Sequence, residues 1–258
     1  MTALLEGHGV CKHFGGLKAV DGVSFRLDEE EILGLIGPNG AGKTTLFSLI
    51  AGSIPPTSGS ITLDGKSISG WKSHRVVHAG VCRTHQIVRP FAKLTVFENV
   101  QVGAFYGKAG GRALDHAGIM DILDFLGLAE RAERFPTELT LAGRKKLEIA
   151  RVLATRPRAL LLDEVVAGLN PSEALQLAQL IERLRKERKI SIIMIEHVMA
   201  TIMHLSDRVM VLDQGLTIAE GAPDHVANDP RVIEAYLGGD GSELNDAADE
   251  TGRDDARG

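Results

Sequence analysis

Gly37–Thr44 (GPNGAGKT) places three glycines, a lysine and a threonine in an order that suits a polyphosphate. Glycines let successive backbone N–H groups turn inward into an anion-binding nest without side-chain clash. A helix starting near Lys43 aims its positive end at the same point. Lys43 adds a point charge for the terminal phosphates, and the Thr44 hydroxyl is a ligand for Mg²⁺. Asn39 and Thr45 add hydrogen-bond donors, so the binding run is Gly37, Pro38, Asn39, Gly40, Ala41, Gly42, Lys43, Thr44 and Thr45. By itself the loop leaves a kinase, GTPase, helicase, motor or transport ATPase open. A GTPase needs an N-K-x-D-type guanine selector, which the sequence lacks.

The other reactive side chains lie far along the chain. Asp163 and Glu164 follow the apolar run Leu160–Leu162. A carboxylate at the C-terminal end of a parallel strand sits where ligands bind in such sheets. Asp163 suits Mg²⁺, and Glu164 suits the polarisation of an attacking water. His197 ends a second apolar run, Ser191–Ile195, on the same edge, where it can donate to a phosphate oxygen and orient the water. Gln86 follows the short run Gly80–Cys82, and its neutral amide can ligate Mg²⁺ without adding charge repulsion. His74, His78 and Cys82 share helical spacing, but no fourth ligand accompanies them, and structural zinc wants four.

These residues need a scaffold. Glu31–Gly37 is an apolar strand feeding the loop, and Lys43–Ile50 is the helix after it. Ile61–Leu63 with Asp64-Gly65 reads as a strand and tight turn. Leu160–Asp163 and Ser191–Ile195 are fully apolar runs of parallel-strand type, separated by a helix over Pro171–Lys189 whose apolar residues Ala174, Leu177, Ala178, Ile181 and Leu184 keep helical spacing. The alternation predicts an α/β fold with a buried parallel sheet. Residues 10–31 read as short strands around polar turns, an antiparallel piece before the core. Thr95–Phe105, Ala113–Leu126 and Gly143–Ala154 read as three successive helices, an all-helical insert. Gly238–Gly258 reads as a disordered tail.

Bulk properties narrow the partners. The net charge is −5, and the excess sits in residues 239–258, so no basic footprint for nucleic acid exists. Two cysteines outside any C-x-x-C pair fit a reducing cytosol. The N-terminus lacks a signal-peptide pattern, and no apolar run approaches the roughly 18 residues that cross a bilayer. Any membrane role therefore runs through another protein.

Taken in order, the loop, Gln86, the segment LTLAGRKKLEIARVLATRPRALLLDEVVAGLN (139–170) and His197 resemble the ATP-binding subunit of an ABC transporter, over about residues 5–237. The resemblance implies a P-loop NTPase (RecA-like) core with an N-terminal antiparallel β subdomain and an inserted helical subdomain of about residues 90–156, in one ATPase domain, 1–238, before the acidic tail, 239–258. It implies ATP and Mg²⁺. It makes Phe14 the aromatic that stacks on adenine, Gly37–Thr45 the Walker A loop, Gln86 the Q-loop glutamine, Asp163 the Walker B aspartate, Glu164 the catalytic base and His197 the switch histidine. Leu139–Gly143 takes the place of the signature, usually LSGGQ, with Thr140, Ala142 and Gly143 reaching nucleotide, and Ala167–Asn170 is the D-loop. Without a gap, Thr140 replaces Ser, Leu141 and Ala142 replace the two glycines, Gly143 replaces Gln, and Asn170 stands where Asp is commoner.

Within the family, KLEIARVLATRP (146–157), the run 161–173, EHVM (196–199) and VIEAYLG (232–238) are most similar to ATPases of branched-chain (hydrophobic) amino acid uptake. Urea-uptake and lipopolysaccharide-export ATPases share much of this pattern, and a soluble non-transport ABC ATPase is the alternative of another class. The resemblance implies transmembrane permease subunits, a second ATPase subunit in a head-to-tail ATP sandwich, an external solute-binding protein, and a peripheral place on the cytoplasmic face of the inner membrane.

Overall fold

The computed structural model describes residues 3–84, 90–107, 114–196 and 198–238. In chain order the strands and helices are β1 (Ala3–Phe14), β2 (Leu17–Asp28), β3 (Ile32–Ile36), α1 (Lys43–Ile50), β4 (Ser58–Leu63), β5 (Lys66–Ser67), α2 (Ser73–Ala79), β6 (Val81–Arg83), α3 (Val96–Phe105), α4 (His116–Phe125), α5 (Leu141–Leu153), β7 (Ala159–Asp163), α6 (Pro171–Arg188), β8 (Ser191–Ile195), α7 (Met199–Leu205), β9 (Arg208–Asp213), β10 (Leu216–Gly221), α8 (Pro223–Ala227) and α9 (Pro230–Gly238).

Two sheets carry the chain. The larger has the order β10-β9-β3-β8-β7-β6. β3 pairs in parallel with both β8 and β9, and β7 pairs in parallel with β8 and β6. β3, β7 and β8 are buried along their whole length, which is why they read as unbroken apolar runs. Period-2 alternation then divides them between two cores. Ile32, Ile36, Leu160, Leu162, Ile192 and Met194 face the core shared with α3–α6. Leu33, Leu35, Ala159, Leu161, Ile193 and Ile195 face the core shared with α1 and the smaller sheet.

The smaller sheet has the order β2-β1-β4-β5 and is antiparallel. Asp64 and Gly65 both take positive φ, 49° and 70°, as the tight β4–β5 turn requires. Residues 10–31 differ from the expectation of short strands. β1 and β2 have 12 residues each, and their pairing is interrupted by register shifts rather than by turns. Polar bulge residues such as Asp21 and Gly22 imitate a turn in the sequence.

The helices after the loop have clear local causes. Thr95 and Glu98 form a capping box at the start of α3, and Asp115 caps α4. α6 starts on an Asn170–Glu173 capping box with Pro171 in its first turn, and ends at Lys189 in the left-handed conformation, φ 56°. Residues 199–238 supply α7, β9, β10, α8 and α9, which periodicity does not single out. β9 lies beside β3 and so flanks the loop that β3 feeds.

Candidate functional site

The chain leaves the sheet at Gly37 and enters α1 at Lys43, with Gly42 as its N-cap. Gly37 and Gly42 take φ of 145° and 102°. A Cβ at Gly37 would strike the Leu212 carbonyl oxygen, and one at Gly42 would strike that of Ala19. Both positions therefore demand glycine for space as well as for conformation. Gly40, at φ 82°, faces open space, so there only the conformation matters. Ala41 N–H donates to the Pro38 carbonyl at 3.1 Å, and Gly215 N–H to the Ala41 carbonyl at 3.0 Å. Lys43 is buried, and its ammonium donates to the carbonyls of Gly37 at 2.5 Å and Pro38 at 3.0 Å. The loop is thus tied to its own lysine and to the β9–β10 turn.

Phe14, the run Asn39–Thr45 and Glu164 line one cleft of 610 Å³, together with Leu17, Lys18 and Gln214. The last three are lining residues that sequence reasoning missed; Leu17 and Lys18 open β2, and Gln214 lies in the β9–β10 turn. The Phe14 ring is 50% exposed, with Lys12 Nζ 5.1 Å from its centroid. An aromatic face, a phosphate-type loop and a carboxylate in one cleft match the dimensions and chemistry of a nucleoside triphosphate.

Asp163 ends β7 at 1% exposure. Its Oδ2 pairs with Arg83 Nη2 at 2.5 Å, while its Oδ1 is buried with no hydrogen-bond partner. Arg83, another residue the motifs do not show, ends β6 and also donates to Ser48 Oγ at 3.0 Å. Glu164 adopts φ 51°, a conformation that costs a non-glycine residue about 1–2 kcal/mol. Two bonds hold it: Glu164 N–H donates to the Ile195 carbonyl at 2.9 Å, and the Glu164 carbonyl accepts from Lys145 Nζ at 3.0 Å.

Beside that strained residue lies a buried pair. Glu196, 3% exposed, accepts from Val166 N–H at 2.9 Å through Oε1, and its Oε2 has no partner. Burial pushes its carboxyl up to about 7, against the opposing pull of the Val166 N–H and the Lys145 ammonium. Burial likewise lowers Lys145, against the pull of Glu196, Glu148 and Glu164. Lys145 and Glu196 are 51 residues apart in the numbering, so no local motif reports their meeting.

Thr140 is the N-cap of α5, its hydroxyl accepting from Gly143 N–H at 3.1 Å. The helix begins at Leu141 and not near Gly143, because that cap lets the first turn form ahead of the apolar stripe. Leu141 lies against Gly168, and Asn170 caps α6. The signature-like turn therefore packs on the Ala167–Asn170 turn. Thr140, Ala142 and Gly143 do not line the cleft that holds Lys43 and Glu164. Gln86, His197 and the 239–258 tail lie outside the described residues.

Other ligand-type side chains have partners of their own. The His74 and His78 rings meet edge to face at 6.3 Å, while Cys82 is buried against Thr155 at 3.0 Å with its thiol pushed up to about 11 by burial. Cys11, His13 and Asp21 bring one ligand-type atom each within 4.8 Å of one another. There Asp21 pairs with Lys18 at 2.9 Å, and the Cys11 sulfur accepts from Gly22 N–H at 3.1 Å.

A largely parallel sheet that delivers a glycine-lysine loop and an acidic strand end to one cleft defines a phosphate-loop nucleoside triphosphatase. Comparison with known proteins narrows this. Residues 20–167 match the ABC transporter family, and residues 217–242 match the branched-chain amino acid ATP-binding cassette transporter family. The chain is 43% identical to the high-affinity branched-chain amino acid transport ATP-binding protein LivG of Salmonella typhimurium, over 91% of this chain and 98% of that protein. It is 40% identical to the corresponding protein BraF of Pseudomonas aeruginosa, with the same coverage. Among solved structures it resembles a nucleotide-free ATP-binding cassette from an ABC transporter, with a TM-score of 0.83 and 30% identity over 92% of this chain and 100% of the other. An ADP-bound cassette gives a TM-score of 0.84 at the same identity and coverage. The chain belongs to the ABC transporter family, within its branched-chain amino acid ATP-binding branch. Its activity is the ATP hydrolysis that powers a transporter.

Proposed function

We propose that this chain binds ATP in the Phe14–Lys43–Glu164 cleft and hydrolyses it to drive uptake of branched-chain amino acids through separate permease subunits. The observation that carries the proposal is the shared cleft: an aromatic face for the base, a nest and ammonium for the phosphates, and a carboxylate for the attacking water. The names of the relatives and the C-terminal family match support the amino acid cargo. No helix among the described residues is long and apolar enough to cross a membrane; in this reading the permeases hold the chain at the cytoplasmic face.

Phe14 stacks on adenine. The amides of Gly40–Thr45 and the Lys43 ammonium hold the β- and γ-phosphates. Glu164 takes the role of general base, and its backbone, fixed by Ile195 and Lys145, presets where the carboxylate points. Gln86 and His197 complete the proposal as water- and phosphate-contacting groups. Mg²⁺ fits the donor set. Asp163 Oδ1 is a buried oxygen without a protein partner, and Thr44 stands exposed at the start of α1; these two, with Gln86, would hold the ion. When bound, it neutralises phosphate charge.

A second ATPase subunit completes the site. The Thr140 turn is exposed and lies outside its own chain's cleft, so it is available to a facing copy in a head-to-tail pair. The Thr140 hydroxyl accepts from Gly143 and keeps its own hydrogen to donate to a γ-phosphate. The N-terminal end of α5 adds a favourable dipole. Closed pairing then gains contacts that exist only with the γ-phosphate in place, and hydrolysis removes them.

Reconstitution tests this reading. Purified chain, permeases and binding protein in vesicles should accumulate leucine only with ATP on the side of this subunit. ATP-dependent transport of urea or lipid, with no amino acid uptake, would overturn the cargo assignment.

A further inference from the structure

The phosphate loop is also held from outside, at its first amide. Gly37 N–H donates to the Tyr236 hydroxyl at 2.8 Å. That hydroxyl comes from α9, 199 residues further along the chain. The β3–β9 ladder ends at Ile36, opposite Val211, so Gly37 is the first residue beyond the sheet. Its carbonyl is taken by Lys43 Nζ. One residue, placed where the chain turns out of the strand, is therefore gripped on one side by the phosphate-binding lysine and on the other by the C-terminal helix. α9 is itself anchored. Val232, one turn before Tyr236, is buried at 3%, and the Tyr236 ring packs partly buried against the core on that face of the sheet.

We infer that Tyr236 is a positioning residue for nucleotide binding: its hydroxyl fixes the peptide plane entering Gly37, and α9 is thereby a working part of the phosphate site. The inference rests on reading Gly37–Thr45 as the phosphate loop. Its physical basis is preorganisation. Nest amides converge on one point only if the loop enters the nest at a set angle, and any freedom at that entrance must be lost again on binding. Gly37 is the residue least able to limit that freedom by itself, since it has no Cβ. The glycine that the Leu212 carbonyl demands thus leaves a loose joint, and the tyrosine hydroxyl holds it. A hydroxyl suits the task because it accepts from the amide while the ring fills the space beneath. The arrangement also gives α9 a role beyond covering the sheet.

Tyr236→Phe in the full-length chain is the test, because it keeps the ring and removes only the acceptor. Binding of a fluorescent ATP analogue and, in the assembled transporter, KM and kcat for ATP are the readouts. The inference expects affinity to weaken roughly 3- to 10-fold, the span of one hydrogen bond, with KM rising in step and kcat within about twofold of wild type. A purely structural tyrosine would lower thermal stability or the active fraction and leave KM unchanged. Hydrogen exchange at the Gly37 amide supplies a second readout that does not depend on turnover. Slow exchange in the nucleotide-free wild type, accelerated in Tyr236→Phe, supports the inference; an unprotected amide in wild type overturns it, as does wild-type KM in the variant. Lys43→Ala separates the two failures. If it abolishes nucleotide binding while Tyr236→Phe binds normally, only the tyrosine's role falls; if Lys43→Ala binds normally, the phosphate-loop reading falls with it.

Discussion

Asp163 and Glu196 show how burial assigns work to individual carboxylates. Asp163 keeps one oxygen on Arg83 and leaves the other, the oxygen proposed for Mg²⁺, buried without a partner among the described residues. Glu196 sits beside Lys145 and Glu164, and burial lifts it to about 7. Because the folded chain holds this proton more tightly than the unfolded chain, the associated stability is complete below the ordinary value of 4.5 and is lost as pH rises through about 7. The displacement corresponds to about 3 kcal/mol. Glu196→Gln cannot ionise, so urea unfolding at pH 5 and pH 8 should show the variant gaining on wild type by up to about 3 kcal/mol between the two. A difference that stays constant with pH would contradict the buried, proton-holding carboxyl. At this scale the sequence is legible where spacing is local, as in Gly37–Thr45 and Asp163-Glu164. Arg83, Lys145, Glu196 and Tyr236 are not legible, because each acts through a partner tens to hundreds of residues away.

At the scale of elements, α5 carries the unusual stretch Thr140–Gly143. Its start was hard to place from periodicity because LAGRKK, before Leu147, has little apolar pattern, and a capping threonine reads equally well as a nucleotide contact. The structure gives Thr140 the capping role; the proposed phosphate contact would use the hydroxyl hydrogen, which the cap does not consume. Thr140→Val removes both and should destabilise the isolated chain by about 1 kcal/mol. It should also slow ATPase in the assembled transporter by more than that loss explains, since the dimer contact goes too. Thr140→Ser should restore both. If Thr140→Val changes stability alone, the threonine is a cap and nothing more. By contrast, α1 and β8 match their sequence boundaries to the residue. A glycine-rich entry fixes the first, and a fully buried, isoleucine-rich run fixes the second. The long strands β1 and β2 were obscured by their bulges.

The whole molecule is a sheet between two cores, and its functional groups arrive from nearly every part of the chain. Phe14 comes from the antiparallel sheet, Lys43 from the strand–helix junction, Glu164 from the residue after β7, and Tyr236 from the last described helix. The α/β class was legible because central strands and helices differ in hydrophobic period. The strand order, which sets β9 and α9 beside the phosphate loop, was not, since β9 joins β3 across 171 residues of numbering. In the proposed function Glu164 carries the chemistry and the other residues set position. Glu164→Gln keeps the shape of the cleft while removing the base, so its steady-state phosphate release is the most direct measurement of the account. The account predicts ATP affinity within a few-fold of wild type and turnover lowered by roughly 10² or more. Turnover close to wild type, with ATP still bound, would contradict it.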